Sequence, residues 1–506
     1  MECTQRQSTV AVTKTLHEDF IEEKCECDLL IPDYYSAAEK IIQCSATPVI
    51  LKKAFEGDRL LLEGICKFFV IYQGEDEAGI KVLSETVNFS ETVVVKDATQ
   101  ESQVQTIARV SGVSCRLLNS RKVNARAFVS IALKVKDQSN EEIIEMLDDC
   151  HVETLYTEKS VHTILEHISE TTKIQGEIET HTEIQDILRT DGIVCIKDIK
   201  TLGNKAMLKG VLNLYVLFTP EEDPCRVEQT STAIPYTQVI ELNSSDEDAM
   251  MDAICLIQNI RNDVETDADG KNKIISVAAT LLTEGEVFAE KKHLFLTDAY
   301  STQYPIEPKY GDITFETMTE QSECVESVRF EFGTEGEEAH IIQMIGSPII
   351  RKVSAQGKIL TLEGVLDVSM FLREGETYRS VDKSFSFTVS RELHRIGTHM
   401  RCEVCPCLLG LDYISNDKNI EIKADIQCHF SIFTKESCNV IKELAVDCDH
   451  PLEVEPASNV VVYFGEKGER IWDIARHYST SMANIKEING LDEDVLEEKK
   501  LLLISK

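Results

Sequence analysis

The stretch QCSATPVILKKAFEGDRLLLEGICKFFVIY, residues 43–72, has the pattern of a β-hairpin. An alternating run leads to a polar turn at Gly57, and a second run rich in β-branched and aromatic residues follows it. Another glycine, Gly64, lies inside that second run. Glycine within a strand indicates either a β-bulge or a close approach by a neighbouring group.

The same pattern recurs twice, as RTDGIVCIKDIKTLGNKAMLKGVLNLYVLF at residues 189–218 and QMIGSPIIRKVSAQGKILTLEGVLDVSMFL at residues 343–372. In each copy an apolar pair precedes the turn glycine by 16 residues, and a second glycine follows it by 7. The repeat glycines are Gly57, Gly64, Gly203, Gly210, Gly357 and Gly364. Repetition over a domain-sized period indicates three copies of one domain.

Each copy continues with more strand-like segments. Short apolar runs surround Phe89, Tyr236 and Phe387, and later runs read NARAFVSIALKV, NKIISVAATLL and NIEIKADIQCHF. Several short strands at such spacing favour a β-sandwich or barrel over a parallel α/β sheet. We therefore predict a mainly β protein, with three repeated all-β domains (sandwich- or barrel-like) and a small βααβ domain at the C-terminus.

The predicted domain bounds follow the copies and the acidic stretches between them. They are an N-terminal segment at 1–36, repeat 1 at 37–165, repeat 2 at 181–305, repeat 3 at 337–452 and the C-terminal domain at 459–506. We interpret the acidic runs EDFIEEKCECD, KDQSNEEIIEMLDD, TEGEEAH and DCDHPLEVEPAS as linkers. These linkers predict three separate, bead-like domains.

The C-terminal domain begins with the strand NVVVYF and the turn GEKGE. Apolar residues from Ile471 to Tyr478 have helical spacing, Ser481 can cap a second helix, and Gly490 can end it. Trp472, the only tryptophan of the chain, is either a core anchor or a half-exposed contact. We expect the fold anchors to be Trp472, Ile474, Tyr478 and Ile485, and partner contacts to come from Glu469, Arg470, His477, Lys486, Asn489 and Leu491.

The composition excludes several classes of partner. The formal net charge is −36, from 88 acidic and 52 basic residues, which argues against binding to nucleic acid or to bare anionic lipid. The first residues lack the apolar run of a signal peptide, and no apolar stretch is long enough to span a membrane. We therefore predict a cytoplasmic protein without direct membrane insertion.

Cysteine clustering suggests one metal site, although we favour buried thiols. Cys402, Cys405 and Cys407 lie close together in sequence, with Cys448 and His450 as further candidate ligands. The other two copies lack equivalent cysteines, and most of the 17 cysteines fit the pattern of reduced core residues. The chain also lacks the sequence motifs of phosphate, dinucleotide, hydrolase and zinc-protease sites. We predict no catalytic residues, no metal and no cofactor.

The C-terminal domain resembles a LysM domain, through a match at Gly468, Ile471, Trp472, Ile474, Ala475, Tyr478, Asn489 and Leu491. Glu469-Arg470 replace the Asp-Thr common in that family, and Glu498-Lys499-Lys500 replace its Pro-Gly-Gln. LysM domains typically bind N-acetylglucosamine polymers through the loops that contain these positions. The resemblance thus implies a peptidoglycan-binding module, and the departures argue against that activity here.

The three copies resemble SPOCS domains (DUF3794) of clostridial spore-coat proteins, on segments such as IPYTQ at 234–238 and TDAYS at 297–301. SPOCS copies followed by one LysM domain is the arrangement of the SipL-like family of spore coat morphogenesis proteins. That resemblance implies a mother-cell protein recruited to the forespore surface, where it joins a SpoIVA-like coat-base ATPase to other coat proteins. The alternatives are a peptidoglycan-binding protein with the copies as spacers and, less well supported, a wall hydrolase.

Overall fold

The computed structural model describes residues 4–75, 79–148, 151–244, 246–333, 339–394, 399–416, 419–447, 449–452 and 460–505. Strands make up nearly all of the regular structure, and two short helices lie near the C-terminus. Neither of these helices is long enough or apolar enough to cross a membrane, as far as the described residues extend.

Each copy consists of six strands. The first contains β1 (Thr4–Leu30), β2 (Ala38–Glu56), β3 (Arg59–Gly74), β4 (Ile80–Val94), β5 (Gln103–Asn119) and β6 (Lys122–Asp148). The second contains β7 (Val152–Glu179), β8 (Ile184–Leu202), β9 (Lys205–Pro220), β10 (Glu228–Glu241), β11 (Met250–Thr266) and β12 (Asn272–Ser301). The third contains β13 (Ile306–Gly333), β14 (Ala339–Gln356), β15 (Ile359–Glu374), β16 (Thr377–Glu392), β17 (Met400–Asn416) and β18 (Asn419–Val446). The C-terminal module contains β19 (Val460–Gly465), α1 (Ile471–His477), α2 (Met482–Asn489) and β20 (Lys500–Ser505).

The six strands of a copy form two three-stranded antiparallel sheets. In the first copy their orders are β2-β3-β4 and β1-β6-β5, and the other copies repeat both orders with their own strands. One apolar core lies between the two sheets, where Leu60 and Phe68 of β3 join Val123 and Ile131 of β6, all fully buried. The predicted mainly β architecture with a small βααβ module is confirmed.

The turn glycines shape the hairpins that the sequence predicts. Gly57, Gly203 and Gly357 adopt φ values of +66°, +60° and +56°, in the left-handed region that favours glycine. Each occupies the first position of a two-residue turn between paired strands, since Glu56 pairs with Arg59 in the first copy and the other copies match it. The glycine spacing therefore marks three equivalent hairpins.

The strand glycines are sites of close approach by a neighbouring aromatic ring. Their direct cross-strand neighbours are aromatic, pairing Gly64 with Phe89, Gly210 with Tyr236 and Gly364 with Phe387. A Cβ added to these glycines would lie 2.3, 2.5 and 2.4 Å from the facing ring. On the preceding strand a bulge lies opposite each glycine, at Leu51, Lys197 and Arg351. The aromatic ring thus lies over the glycine backbone, and a side chain in place of the glycine hydrogen would clash with it.

Equivalent residues of the three copies meet in shared cores. Ile42, Leu188 and Ile342 stand at the same distance before their turn glycines and belong to one cluster. That cluster also contains Ile71, Leu217 and Phe371, which lie seven residues after the strand glycines. A second shared core contains Val12, Val161 and Phe315, from the first strand of each copy. The copies are therefore packed around one another with approximate threefold character, and the prediction of bead-like domains is wrong.

A buried ionic junction also joins the copies. Lys136 of β6 is 5% exposed, and its Nζ lies 2.9 Å from Glu286 of β12 and 3.3 Å from Glu403 of β17. Burial alone would raise the pKa of Glu403, but Lys136, Arg401 and Lys134 together hold it well below its usual range. One cation thus pairs with carboxylates from both other copies.

Two of the predicted linkers are strands instead. Residues 18–28 lie in β1, which pairs with β6 along its length, and residues 136–148 lie in β6. In β1, Cys25 and Leu29 are buried while the alternate positions carry charges, so the solvated face gave the segment its linker-like composition. β1 lies in the predicted N-terminal segment, and β7 crosses the predicted bound at 165. The observed units therefore differ from those bounds, and parts of the other two predicted linkers lie outside the described residues.

Candidate functional site

The C-terminal module is a two-stranded sheet covered by two short helices. The Ser481 hydroxyl accepts a hydrogen bond from the Asn484 amide at 3.0 Å, and Gly490 ends α2 with a φ of +57°. Trp472, Ile474 and Ile485 are buried in the module core, with exposures of 3%, 4% and 0%. Tyr478 is half-buried and packs against the same core.

The indole of Trp472 fastens the module to the second copy. Its Nε1 donates a hydrogen bond to Asp298 Oδ2 of β12 at 2.9 Å, and Arg476 contacts the same oxygen at 2.7 Å. Tyr300 places its ring 4.9 Å from the indole, edge to face, and donates its hydroxyl hydrogen to the Thr480 carbonyl at 2.8 Å. Trp472 is therefore both a core residue and a contact residue, and the contact is within its own chain.

Only the second copy has the residues for this contact. Counting from the bulge that all three copies share near the end of their last strand, Asp298 corresponds to Met146 and Glu443. Tyr300 corresponds to Asp148 and Ala445 by the same count. A hydrogen-bond acceptor next to an aromatic ring thus occurs once among the three equivalent positions.

Half of the predicted partner-binding residues line one groove on the module. The groove has a volume of about 400 Å³ and lies between Tyr463, Tyr478 and the start of α1. Glu469 accepts hydrogen bonds there from the Tyr463 hydroxyl at 3.0 Å and the Glu466 amide at 2.9 Å. Arg470 forms a two-pronged ion pair with Asp473, both contacts at 3.0 Å, and His477 completes this wall. These charged groups are thus already paired inside the module.

The other predicted contact residues lie away from the groove. Asn489 donates to the Ile485 and Leu503 carbonyls and accepts from the Leu503 amide, so it ties α2 to β20. Lys486 pairs with Asp494 at 2.5 Å, and Leu491 packs against the core. The structure brings Glu469, Arg470 and His477 together and separates the other three from them.

The outward face of the β19–β20 sheet is apolar, a feature that the sequence prediction missed. We call this the outer face; its residues are Val460 at 53% exposure, Val462 at 53%, Phe464 at 74%, Leu501 at 50% and Leu503 at 41%. Cross-strand register places Val462 opposite Leu503 and Phe464 opposite Leu501. The signal lay in NVVVYF, because successive strand residues point to opposite faces and both faces of this run are apolar.

Two family models match the chain. The model described as SipL, SPOCS domain, matches residues 37–118 and 183–265, and the LysM domain model matches residues 466–505. The chain has a SipL-like architecture. The SPOCS matches run from β2 to β5 and from β8 to β11, and the third copy repeats their strand order. No curated protein and no solved structure matches this chain.

The matched segments are SPOCS and LysM domains. This domain content fits a sporulation protein that contains repeats.

The cysteines weighed as metal ligands do not converge on one site. Cys407 forms a disulfide with Cys195 of β8, Cys402 is half-buried, and Cys448 lies outside the described residues. His450 lies 3.0 Å from Asp447. Within the described part of the chain, no three His, Cys, Asp or Glu residues are grouped as metal ligands.

Proposed function

We propose that this SipL-like protein is a non-enzymatic adaptor of spore coat morphogenesis. Its LysM module docks on a SpoIVA-like coat-base ATPase at the forespore surface, and its SPOCS copies bind other coat proteins. Neither SPOCS nor LysM is an enzyme family, which supports an adaptor over a wall hydrolase. The strongly negative charge of the chain supports protein partners over nucleic acid.

The observation that carries this proposal is the orientation of the LysM module. Helix α1 faces the second SPOCS copy through Trp472 and Arg476, so the helical side of the module is occupied. The outer face is the opposite side of its small sheet and is open to solvent. A contiguous exposed apolar surface of this kind typically marks a protein-binding site. The outer face is therefore the surface we assign to the scaffold.

A binding titration of the full-length chain against the purified coat-base ATPase tests this assignment. Phe464→Glu places a charge at the most exposed position of the outer face and should weaken binding about tenfold or more. The matched control is Leu202→Glu, at a position 70% exposed in the second SPOCS copy, and it should bind as the original chain does. Equal affinity of the two variants would contradict docking through the outer face.

Peptidoglycan binding is the second candidate, favoured by the groove between Tyr463 and Tyr478. Aromatic walls suit sugar rings, but the pairing of Glu469 and Arg470 inside the module opposes it. We expect the full chain not to sediment with insoluble peptidoglycan, and the double change Glu469→Asp, Arg470→Thr not to improve adaptor function. Sedimentation of the original chain without binding to the scaffold would favour the glycan candidate.

A further inference from the structure

A pair of cysteines lies side by side on the third SPOCS copy. Cys324 of β13 and Cys428 of β18 are direct partners in the antiparallel register, so their side chains project from the same face of the sheet. The Cys324 thiol also donates a hydrogen bond to the Cys428 carbonyl at 3.8 Å. Cys324 is partly exposed, whereas Cys428 is fully buried. The Cys324 sulfur is therefore accessible to a reagent from solvent, whereas the Cys428 sulfur lies buried beside it.

The exposed sulfur is the better nucleophile of the two. Hydrogen bonding from the neighbouring Cys428 thiol stabilises the thiolate of Cys324 and lowers the pKa of that thiol to about 7. The same interaction, and to a lesser extent burial, raises the pKa of Cys428. A low-pKa, accessible cysteine beside a second cysteine is the arrangement found in redox-active thiols.

The first SPOCS copy holds a second pair of this kind. Cys44 of β2 and Cys115 of β5 are both partly buried, come from the two different sheets of the sandwich and pack against the same core. Hydrogen bonding from the Cys44 thiol lowers the pKa of Cys115, and the same interaction raises the pKa of Cys44. In two copies, therefore, a cysteine with a lowered pKa lies next to a cysteine with a raised pKa.

Three other cysteines serve as comparisons for these pairs. Cys195 of β8 and Cys407 of β17 are joined by a disulfide, so the packed copies can hold a covalent bond between strands. Burial, assisted by the charge of Glu403, raises the pKa of Cys402 to about 12. Cys402 is as partly exposed as Cys324 and lies in the same SPOCS copy, which makes it a matched comparison.

We propose that the Cys324–Cys428 and Cys115–Cys44 pairs are thiol–disulfide exchange sites that react with a low-molecular-weight disulfide such as oxidised glutathione. The Cys324 thiolate attacks one sulfur of oxidised glutathione, forms a mixed disulfide and releases one glutathione thiolate, which takes up a proton. Cys428 then loses its proton and attacks the Cys324 sulfur, which releases the second glutathione. Two protein thiols are oxidised and one disulfide is reduced to two thiols, so the electrons balance.

The second step is favoured by the first. The largest cause of the raised pKa of Cys428 is its hydrogen bond to Cys324. Once Cys324 carries a glutathionyl group it bears no charge, so that cause is removed and Cys428 ionises more easily. In the first copy the same sequence of steps assigns the attack to Cys115 and the closure to Cys44.

The test treats reduced full-length protein with oxidised glutathione at pH 7, blocks the remaining thiols after timed intervals, and maps the peptides by mass spectrometry. Cys324 should react on the order of 100-fold faster than Cys402. A larger fraction of Cys324 is ionised at pH 7, and this outweighs the lower intrinsic nucleophilicity of a thiolate with a lower pKa. A Cys324–Cys428 disulfide should accumulate. Equal rates at Cys324 and Cys402 would overturn the proposal, and this comparison needs no variant.

Two variants separate the steps. Cys428→Ser should stop the reaction at a stable glutathione adduct on Cys324, while Cys324→Ser should leave Cys428 unmodified. Trp472 emission, read in parallel, shows whether each variant keeps the fold around the LysM junction. Modification of Cys428 in a folded Cys324→Ser variant would contradict the assigned order, as would a lasting adduct on Cys324 in the original chain.

Discussion

Replacement of Asp298 by alanine should release the LysM module from the second SPOCS copy. The change leaves the buried indole N–H of Trp472 without its acceptor, which costs about 1–3 kcal/mol. Loss of the partly exposed ion pair to Arg476 adds at most about 1 kcal/mol. Together these losses amount to about 1–4 kcal/mol, which shifts the docking equilibrium by about 5- to 900-fold.

Intrinsic fluorescence measures this shift directly, because Trp472 is the only tryptophan. In Asp298→Ala, we expect the emission maximum to move to longer wavelength, acrylamide quenching to increase, and the midpoint of urea unfolding followed at the indole to fall. Asp367→Ala is the control, since Asp367 also accepts a hydrogen bond in a strand, from Ser384 at 2.5 Å, but in the third copy. Unchanged emission and midpoint in Asp298→Ala would refute the docking role of this carboxylate.

Two further predictions concern the SPOCS copies. In a urea titration, Gly364→Ala should lower the free energy of unfolding by about 1–3 kcal/mol. The reason is that the new Cβ would lie 2.7 Å from the Ile349 carbonyl oxygen. The control, Gly112→Ala, should have little effect, because its Cβ would meet no atom closer than 3.9 Å. Burial, together with Glu403 and Glu286, raises the pKa of Asp252 to about 6, so the folded state gains stability as the pH falls through 6 while the unfolded carboxyl is still ionised. Asp252→Asn should therefore stabilise the chain by up to about 3 kcal/mol at pH 7.5 and by less at pH 5; a stabilisation that is equal at both pH values would show that the charge of Asp252 is not its source.

The sequence predicted the hairpins because their signals are local. A turn glycine and a strand glycine at fixed spacing define each hairpin without reference to the rest of the chain. The packing of the copies depends on residues far apart in sequence, but the apolar pair before each turn glycine indicates part of it. Ile41 packs in the core of its own sandwich, and its neighbour Ile42 packs in the core shared by three copies. Two adjacent apolar strand residues point to opposite faces, so the pair indicates a strand buried on both sides.

The candidate site was predictable as a module but not as a junction. Helix spacing and caps identified α1 and α2, and the single tryptophan identified an anchor. Its acceptor Asp298 lies 174 residues away in sequence, and nothing near Trp472 indicates it. The cysteine pairs were hidden for the same reason, since Cys324 and Cys428 are neighbours only through the strand register.

The position of the LysM module follows from chemistry together with chain direction. The module comes after the third copy in sequence, yet it docks on the second. The Asp447 amide donates to the Pro305 carbonyl at 3.0 Å and the Leu452 amide to the Gln303 carbonyl at 2.7 Å, so the chain leaving β18 runs beside the segment that follows β12. That path brings the module to the end of β12, where Asp298 stands. Because neither of the other copies combines a carboxylate at the position of Asp298 with an aromatic ring at that of Tyr300, the three similar copies offer one docking place, and the outer face is presented at one position on the molecule.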